Sequence, residues 1–226
     1  MKHALKTIGF MVLIATVFGS GVTGIHLVTQ KTLARNRDLA FQRAVVNVFG
    51  IAQGVANPDY AKLYHERITQ EALVDPETEQ SITCYTAYAD AAKQQAVALG
   101  FEFTGRGFWA PISGIMALSL DRTKTLGLTI LEQQETPGLG GRVAESEFTG
   151  QFRQGVMVSP DPTGRPLRIS STPPAADSPD AGRHVDTITG ATQTSMAMDR
   201  MLNEALVAYD RAYQAAKQGG HSYGLR

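Results

Sequence analysis

Ile8 to Val28 is a run of 21 residues without a single Asp, Glu, Lys or Arg. The block from Ile8 to Phe18 is almost wholly apolar, and a half richer in Gly and Thr comes after it. As a helix the run spans about 31 Å, close to the hydrocarbon thickness of a bilayer. Lys2 and Lys6 precede it. A cleaved leader is the competing reading. The run is long for a leader and has no Ala-x-Ala site after it, so an uncleaved anchor over residues 1–30 is favoured. Lys31, Arg35, Arg37 and Arg43 come after the span, and this charge balance alone leans against an outside location for the rest of the chain.

Thr32 to Phe49 has a helical pattern with Gly50 as its stop. A second helix is predicted after Asn57-Pro58, with Asn57 as cap and Pro58 at the first position, ending before Asp75-Pro76. Residues 31–76 thus read as a helical stalk and packing helices, with His65 a solvated helix residue. Ile82 to Tyr88 alternates as a strand. Ala89 to Leu99 fits a short helix or a hairpin excursion equally well. Phe101 to Thr104, Ile112 to Leu120, Leu126 to Glu132 and Gly155 to Val158 are short segments between turn residues, the pattern of an antiparallel sheet. The fold class predicted is α+β, an antiparallel sheet with flanking helices preceded by one N-terminal transmembrane helix. Six of the ten prolines lie between Pro160 and Pro179, which is loop chemistry crossed by one short strand at Pro166 to Ile169.

Lys+Arg and Asp+Glu both number 21, and no basic stripe stands out, which argues against a nucleic-acid partner. Cys84 is the only cysteine, so an internal disulfide and a cysteine-held zinc or iron–sulfur centre are excluded. Its place in an alternating strand favours a half-buried residue over a reactive thiol.

The chemistry gathers in two places. Glu135-Thr136-Pro137-Gly138-Leu139-Gly140-Gly141 is a rigid yet permissive loop whose N–H groups can approach a ligand closely. A surface hairpin turn is the plainer reading. Val185 to Ser195 is rich in small and hydroxyl residues and feeds a long helical pattern. In that pattern Met198, Met201, Leu202, Ala205, Leu206, Tyr209, Ala212, Tyr213 and Ala216 recur at three- and four-residue steps. Thr194 or Ser195 suits the N-cap, and such a helix start favours an anion. A Walker loop is excluded, because no Lys comes after Gly190 at the required spacing.

The string Asp186-Thr187-Ile188-Thr189-Gly190-Ala191-Thr192 resembles the flavin-transferase recognition motif, Asp-x-x-(Ser/Thr)-Gly-Ala-Thr. It is similar to the motif in FMN-binding domains of the Rnf electron-transport complex G subunit and of the Na+-translocating NADH:quinone reductase C subunit. Glu135 to Gly140 matches the same family's Glu-Thr-Pro-Gly-Leu-Gly, about 50 residues earlier. Gly105-x-Gly107-Phe108-Trp109 and Phe148 to Phe152 resemble further family segments. For the first of these, a place near the flavin ring stands beside the plainer reading of a tight turn with Trp109 packed in the core.

The resemblance implies a covalent-FMN-binding domain over residues 77–217; the Gly-rich residues after it, 218–226, read as a frayed tail. It implies FMN carried by a phosphoester on Thr192, with Asp186, Thr189, Gly190, Ala191 and Thr192 recognised by the transferase. That separate enzyme uses FAD and Mg2+ and releases AMP, so the chain needs no base of its own to activate the weak hydroxyl nucleophile. Cofactor contacts implied are Glu135, Thr136, Gly138, Leu139, Gly140, Thr189, Gly190, Ala191, Thr194 and Ser195. Leu139 would be an apolar wall, and Glu135 or Thr136 would bond ring heteroatoms. No catalytic residue and no metal ligand is implied. The implied role is a subunit anchored in the inner membrane, its flavin domain on the periplasmic side, passing electrons among other membrane subunits of an ion-translocating respiratory complex. Length leans slightly to the Rnf type, whereas Pro137 to Val143 and the stalk look closer to the quinone-reductase subunit. A membrane-tethered flavin reductase and a cofactor-free binding module are the readings from other classes.

Overall fold

The computed structural model describes residues 2–158, 165–175, 177–178 and 180–219. The chain divides into two units, Met1–Phe41 and Gln42–Arg226. The first is helix throughout its described length, part of α1 (Lys2–Val48). Its large apolar side chains, Phe10, Met11, Val17 and Phe18 among them, are exposed. The Thr16 and Thr29 hydroxyls donate back to the carbonyls of Val12 and Ile25, both at 2.8 Å, so these polar groups are satisfied within the helix. Among the described residues this is the one helix long and apolar enough to cross a membrane, with a mean hydropathy reaching 2.0.

In the second unit five strands form an antiparallel sheet in the order of the chain: β1 (Ile68–Val74), β2 (Ser81–Tyr88), β3 (Ala96–Arg106), β4 (Pro111–Leu118) and β5 (Thr125–Glu132). A separate parallel pair joins β6 (Arg168–Ser170) to β7 (His184–Asp186). Short helices α2 (Tyr60–Arg67) and α3 (Ser146–Thr149) flank the sheet, and α4 (Thr192–Gln218) closes the domain. The architecture is the α+β class read from the sequence.

The apolar stripe of α4 is buried, with Met198, Met201, Leu202, Leu206, Tyr209, Ala212 and Tyr213 all inside. The Tyr209 ring stacks on Phe101 of β3 at 4.6 Å between centroids. Val48 and Phe49, at the end of α1, lie against Gly127 and Gly100 of the sheet. Cover on both faces explains why β2, β3 and β4 bury consecutive residues rather than alternate ones. Two longer-range locks hold α4. The Arg211 guanidinium grips the buried Asp75 carboxylate with two bonds of 2.9 and 2.6 Å, and Asp75 also accepts from the Thr78 hydroxyl at 2.8 Å. Asp199 accepts from the Ile169 N–H at 2.8 Å, and Asn203 from the Leu167 N–H at 2.9 Å, so α4 organises the segment entering β6.

Several sequence readings need correction. The helix expected up to Asp75 ends at Arg67, and residues 68–74 are edge strand β1. Its cap is Asp59, whose carboxylate accepts from the Lys62 N–H at 3.1 Å, whereas Asn57 is a left-handed turn residue with φ 49°. Ala89 to Leu99 is the hairpin option: Ala89 N–H donates to the Gln95 carbonyl and β3 begins at Ala96. Gly155 to Val158 forms no strand, only a single bridge between Lys124 and Met157. The tail beyond Gly219 and part of the proline-rich loop lie outside the described residues.

Candidate functional site

The small-residue turn of Val185 to Ser195 ends in a helix that starts three or four residues earlier than its capping pattern suggests. α4 begins at Thr192, and Ala191 at the N-cap offers no side-chain bond. Ser195 is inside the first turn instead. Its hydroxyl donates to the Ala191 carbonyl at 3.0 Å and accepts from the Ile188 N–H at 2.9 Å, folding the preceding turn onto the helix. Gly190 supplies the left-handed step, φ 79°, that lets the chain reverse there. Consecutive helical residues are rotated by about 100°, so positions two apart face opposite sides. Thr192 is accordingly exposed, whereas Thr194 is 3% exposed and faces inward.

Thr194 faces Glu135. This carboxylate is 4% exposed and accepts three hydrogen bonds from the protein. Oε1 takes the N–H groups of Trp109 and Ala110 at 2.9 and 3.3 Å, and Oε2 takes the Thr194 hydroxyl at 2.9 Å. Room for it depends on missing side chains. A Cβ on Gly107 would lie 2.6 Å from Oε1, and one on Gly140 would lie 2.7 Å from Oε2 and 2.5 Å from the Thr194 hydroxyl. Glu135 therefore ties together the 107–110 loop, the Pro-Gly loop and the start of α4. Phe108 and Trp109 project outward on the first of these, their rings edge-to-face at 5.2 Å. Trp109 is 72% exposed, so it does no core packing.

The Pro-Gly loop lies against the turn. The Leu139 side chain reaches within 3.6 Å of where a Cβ on Gly190 would be, and is itself half exposed. Thr136 closes the loop by accepting on its carbonyl the N–H groups of Leu139 and Gly141, at 3.1 and 3.0 Å. Two motifs about 50 residues apart in sequence thus share one corner of the fold.

Beside them runs a cleft of about 600 Å³, lined by Arg142, Glu147, Gln151, Asp186, Thr189 and Thr192 among others. Arg142 pairs with Glu147 and, at 3.4 Å, with Glu145, and these partners hold its pKa above the ordinary value. It also donates to the Thr189 carbonyl at 3.3 Å. The Gln151 side chain accepts from the Asp186 N–H at 2.7 Å and donates to the Asp186 carbonyl at 3.4 Å, pinning the first residue of the motif. Arg142 and Gln151 were missed as site residues in the sequence, where the only signal was their place just after the Pro-Gly loop and within Phe148 to Phe152.

A hydroxyl at an exposed helix start, first-turn N–H groups without a side-chain cap and a guanidinium in the same cleft suit one phosphate ester charge. Glu147 and Asp186 border the same space and oppose a second negative charge. Among the described residues no group of three or more His, Cys, Asp or Glu side chains is arranged to hold a metal. Cys84 is buried, and burial pushes its thiol up to about 12.

Residues 107–207 match the family model of the FMN-binding domain. The chain is similar to the C subunit of the Na(+)-translocating NADH-quinone reductase of Chlamydia pneumoniae, 31% identical over 134 residues, covering 54% of this chain and 42% of that one. It is also similar to the G subunit of the ion-translocating oxidoreductase complex of Cereibacter sphaeroides, 29% identical over 126 residues, covering 55% and 52%. The alignments thus span about half or less of these relatives' lengths. The fold matches the crystal structure of NqrC from Shewanella oneidensis with a TM-score of 0.66 at 18% identity, over 82% of this chain and 99% of that one.

Proposed function

Starting from residues 107–207 as an FMN-binding domain, we propose that this chain is the flavin-bearing electron-transfer subunit of an ion-translocating complex of the Rnf or NADH:quinone reductase kind. FMN is joined by a phosphoester to Thr192. The observation that carries this is the exposed Thr192 hydroxyl at the mouth of the cleft, with Leu139 of the Pro-Gly loop against Gly190 of the same turn. Attachment forms a bond from the Thr192 oxygen to phosphorus and breaks the pyrophosphate bond of FAD. AMP is the leaving group, and the hydroxyl proton goes to the transferase or water. Asp186, Thr189, Gly190 and Ala191 present the acceptor.

Bound flavin supplies one- and two-electron redox chemistry, and the protein supplies attachment, orientation and electrostatics. Ser195 and Gln151 hold the motif in shape, and Arg142 faces the single charge of a phosphodiester. Leu139, with the open backbone of Gly138 beside it, offers the ring an apolar edge, and Gly140 makes room beneath it for the Glu135 carboxylate. The α1 span anchors the subunit in the inner membrane, with the flavin domain on the periplasmic side and the other subunits as partners. A G-type subunit of an Rnf complex is the first form of the reading. The C-type subunit is the second, supported by the Pro137 to Val143 stretch. Co-purification with ferredoxin-linked or quinone-linked partners separates the two, and protease accessibility in right-side-out and inverted vesicles tests the orientation.

The assignment of Thr192 is tested by co-expression with a flavin transferase and denaturing electrophoresis. Wild-type chain gives a fluorescent band and Thr192→Ala gives none. A fluorescent Thr192→Ala band contradicts the assignment.

A further inference from the structure

Trp109 is the chain's only tryptophan, and its loop, an exposed excursion between β3 and β4, is tied down by one side chain. The Glu135 carboxylate reaches under that loop and takes the N–H groups of two successive residues, Trp109 and Ala110. Its other oxygen takes the hydroxyl of Thr194, in the first turn of α4. The loop closes on itself only through the Gly107 N–H, which donates to the Ala110 carbonyl at 2.9 Å. Two glycines from two different loops, Gly107 and Gly140, leave the space the carboxylate occupies.

We infer that Glu135 is a positioning residue: its buried carboxylate locks the Phe108–Trp109 loop onto the first turn of α4 and holds this aromatic pair one side chain away from the turn that carries Thr192. The lock stands on the geometry alone, and it rests on the flavin reading only for what the loop faces. All three hydrogen bonds to the carboxylate end on protein groups, so its work is to join segments. Removing it leaves two loop N–H groups and a buried hydroxyl without their acceptor, a loss water can repair only by opening the loop. Glutamine keeps the connection. Its amide oxygen accepts the two N–H groups, and its NH2 donates to a Thr194 hydroxyl that rotates to accept.

The test reads Trp109 fluorescence anisotropy in the full chain, flavin-free and in detergent micelles. Glu135→Ala lowers the anisotropy, as a locked ring gains local motion, and Glu135→Gln restores the wild-type value. Gly140→Ala, whose new methyl collides with both Oε2 and the Thr194 hydroxyl, lowers it as well. That variant and far-ultraviolet circular dichroism serve where Glu135→Ala loses its fold. Wild-type anisotropy in folded Glu135→Ala or Gly140→Ala, or a Glu135→Gln chain as mobile as Glu135→Ala, overturns the lock. Failure of the flavin reading shows separately, as in-gel fluorescence that survives Thr192→Ala; the lock is read without flavin and does not depend on that result.

Discussion

Thr192 and Thr194 sit two residues apart on one helix and have opposite fates. The first is exposed at the edge of a polar cleft, and the second is buried with its hydroxyl on a carboxylate. One helical turn thus presents an open face, where a hydroxyl is left for chemistry, and a closed face, where polar groups are matched to each other. The closed face has a counterpart at the other half of α4, where Arg211 satisfies the buried Asp75. The attachment proposed at Thr192 requires access for a transferase and a fixed position once loaded, and hydrogen-bonded closed anchors next to an open turn suit both.

The largest effect expected is on attachment. Thr192→Ala abolishes denaturation-resistant flavin fluorescence, whereas Thr194→Val keeps it. Equal loss in both variants breaks the distinction between the two faces. Next comes Arg211→Ala, which strands the Asp75 carboxylate in the core and costs about 3 kcal/mol of stability, read as a lower denaturation midpoint. The Arg211 bond holds Asp75 at about 2, below the ordinary carboxylate range. A pKa depressed in the folded state gives stability that is present above the unfolded value and lost as pH falls through the folded one. Wild-type chain therefore loses stability between about pH 4 and pH 2, and Arg211→Ala loses less over that window. Thr194→Val is milder, about 1–2 kcal/mol, because Glu135 retains its two N–H donors. Arg142→Ala leaves the melting temperature unchanged, since its carboxylate partners are largely exposed, and its effect falls on retention of the phosphodiester. A clear loss of melting temperature there makes Arg142 part of the scaffold and not of the open face.

The open face was the more legible of the two. Asp186 to Thr192 and Pro137 to Leu139 belong to contiguous strings, and a string can be read without knowing what lies across from it. The apolar period of α4 and four of the five sheet strands were legible for the same reason, each being a local pattern. The closed face was not. Nothing in the sequence tells that Glu135 meets Thr194, 59 residues away. Thr194 and Ser195 looked like caps because hydroxyl residues before an apolar run usually are. Here tertiary bonds to Glu135 and Ile188 took both side chains inward, and the helix began at Thr192. Strand β1 was read as helix because, as an edge strand, it buries only Ile68 and Leu73 and shows no alternation. For Trp109 the sequence left core packing and a place near the flavin ring both open; the structure leaves its side chain 72% exposed, with its N–H on Glu135.

Peptide mapping by mass spectrometry, after co-expression with a flavin transferase, tests the central claim most directly. The account predicts a single FMN phosphoester on the peptide containing Thr192, located on that residue by fragmentation. An adduct on Thr189, Thr194 or any other residue, or a fully processed chain with no adduct, contradicts it.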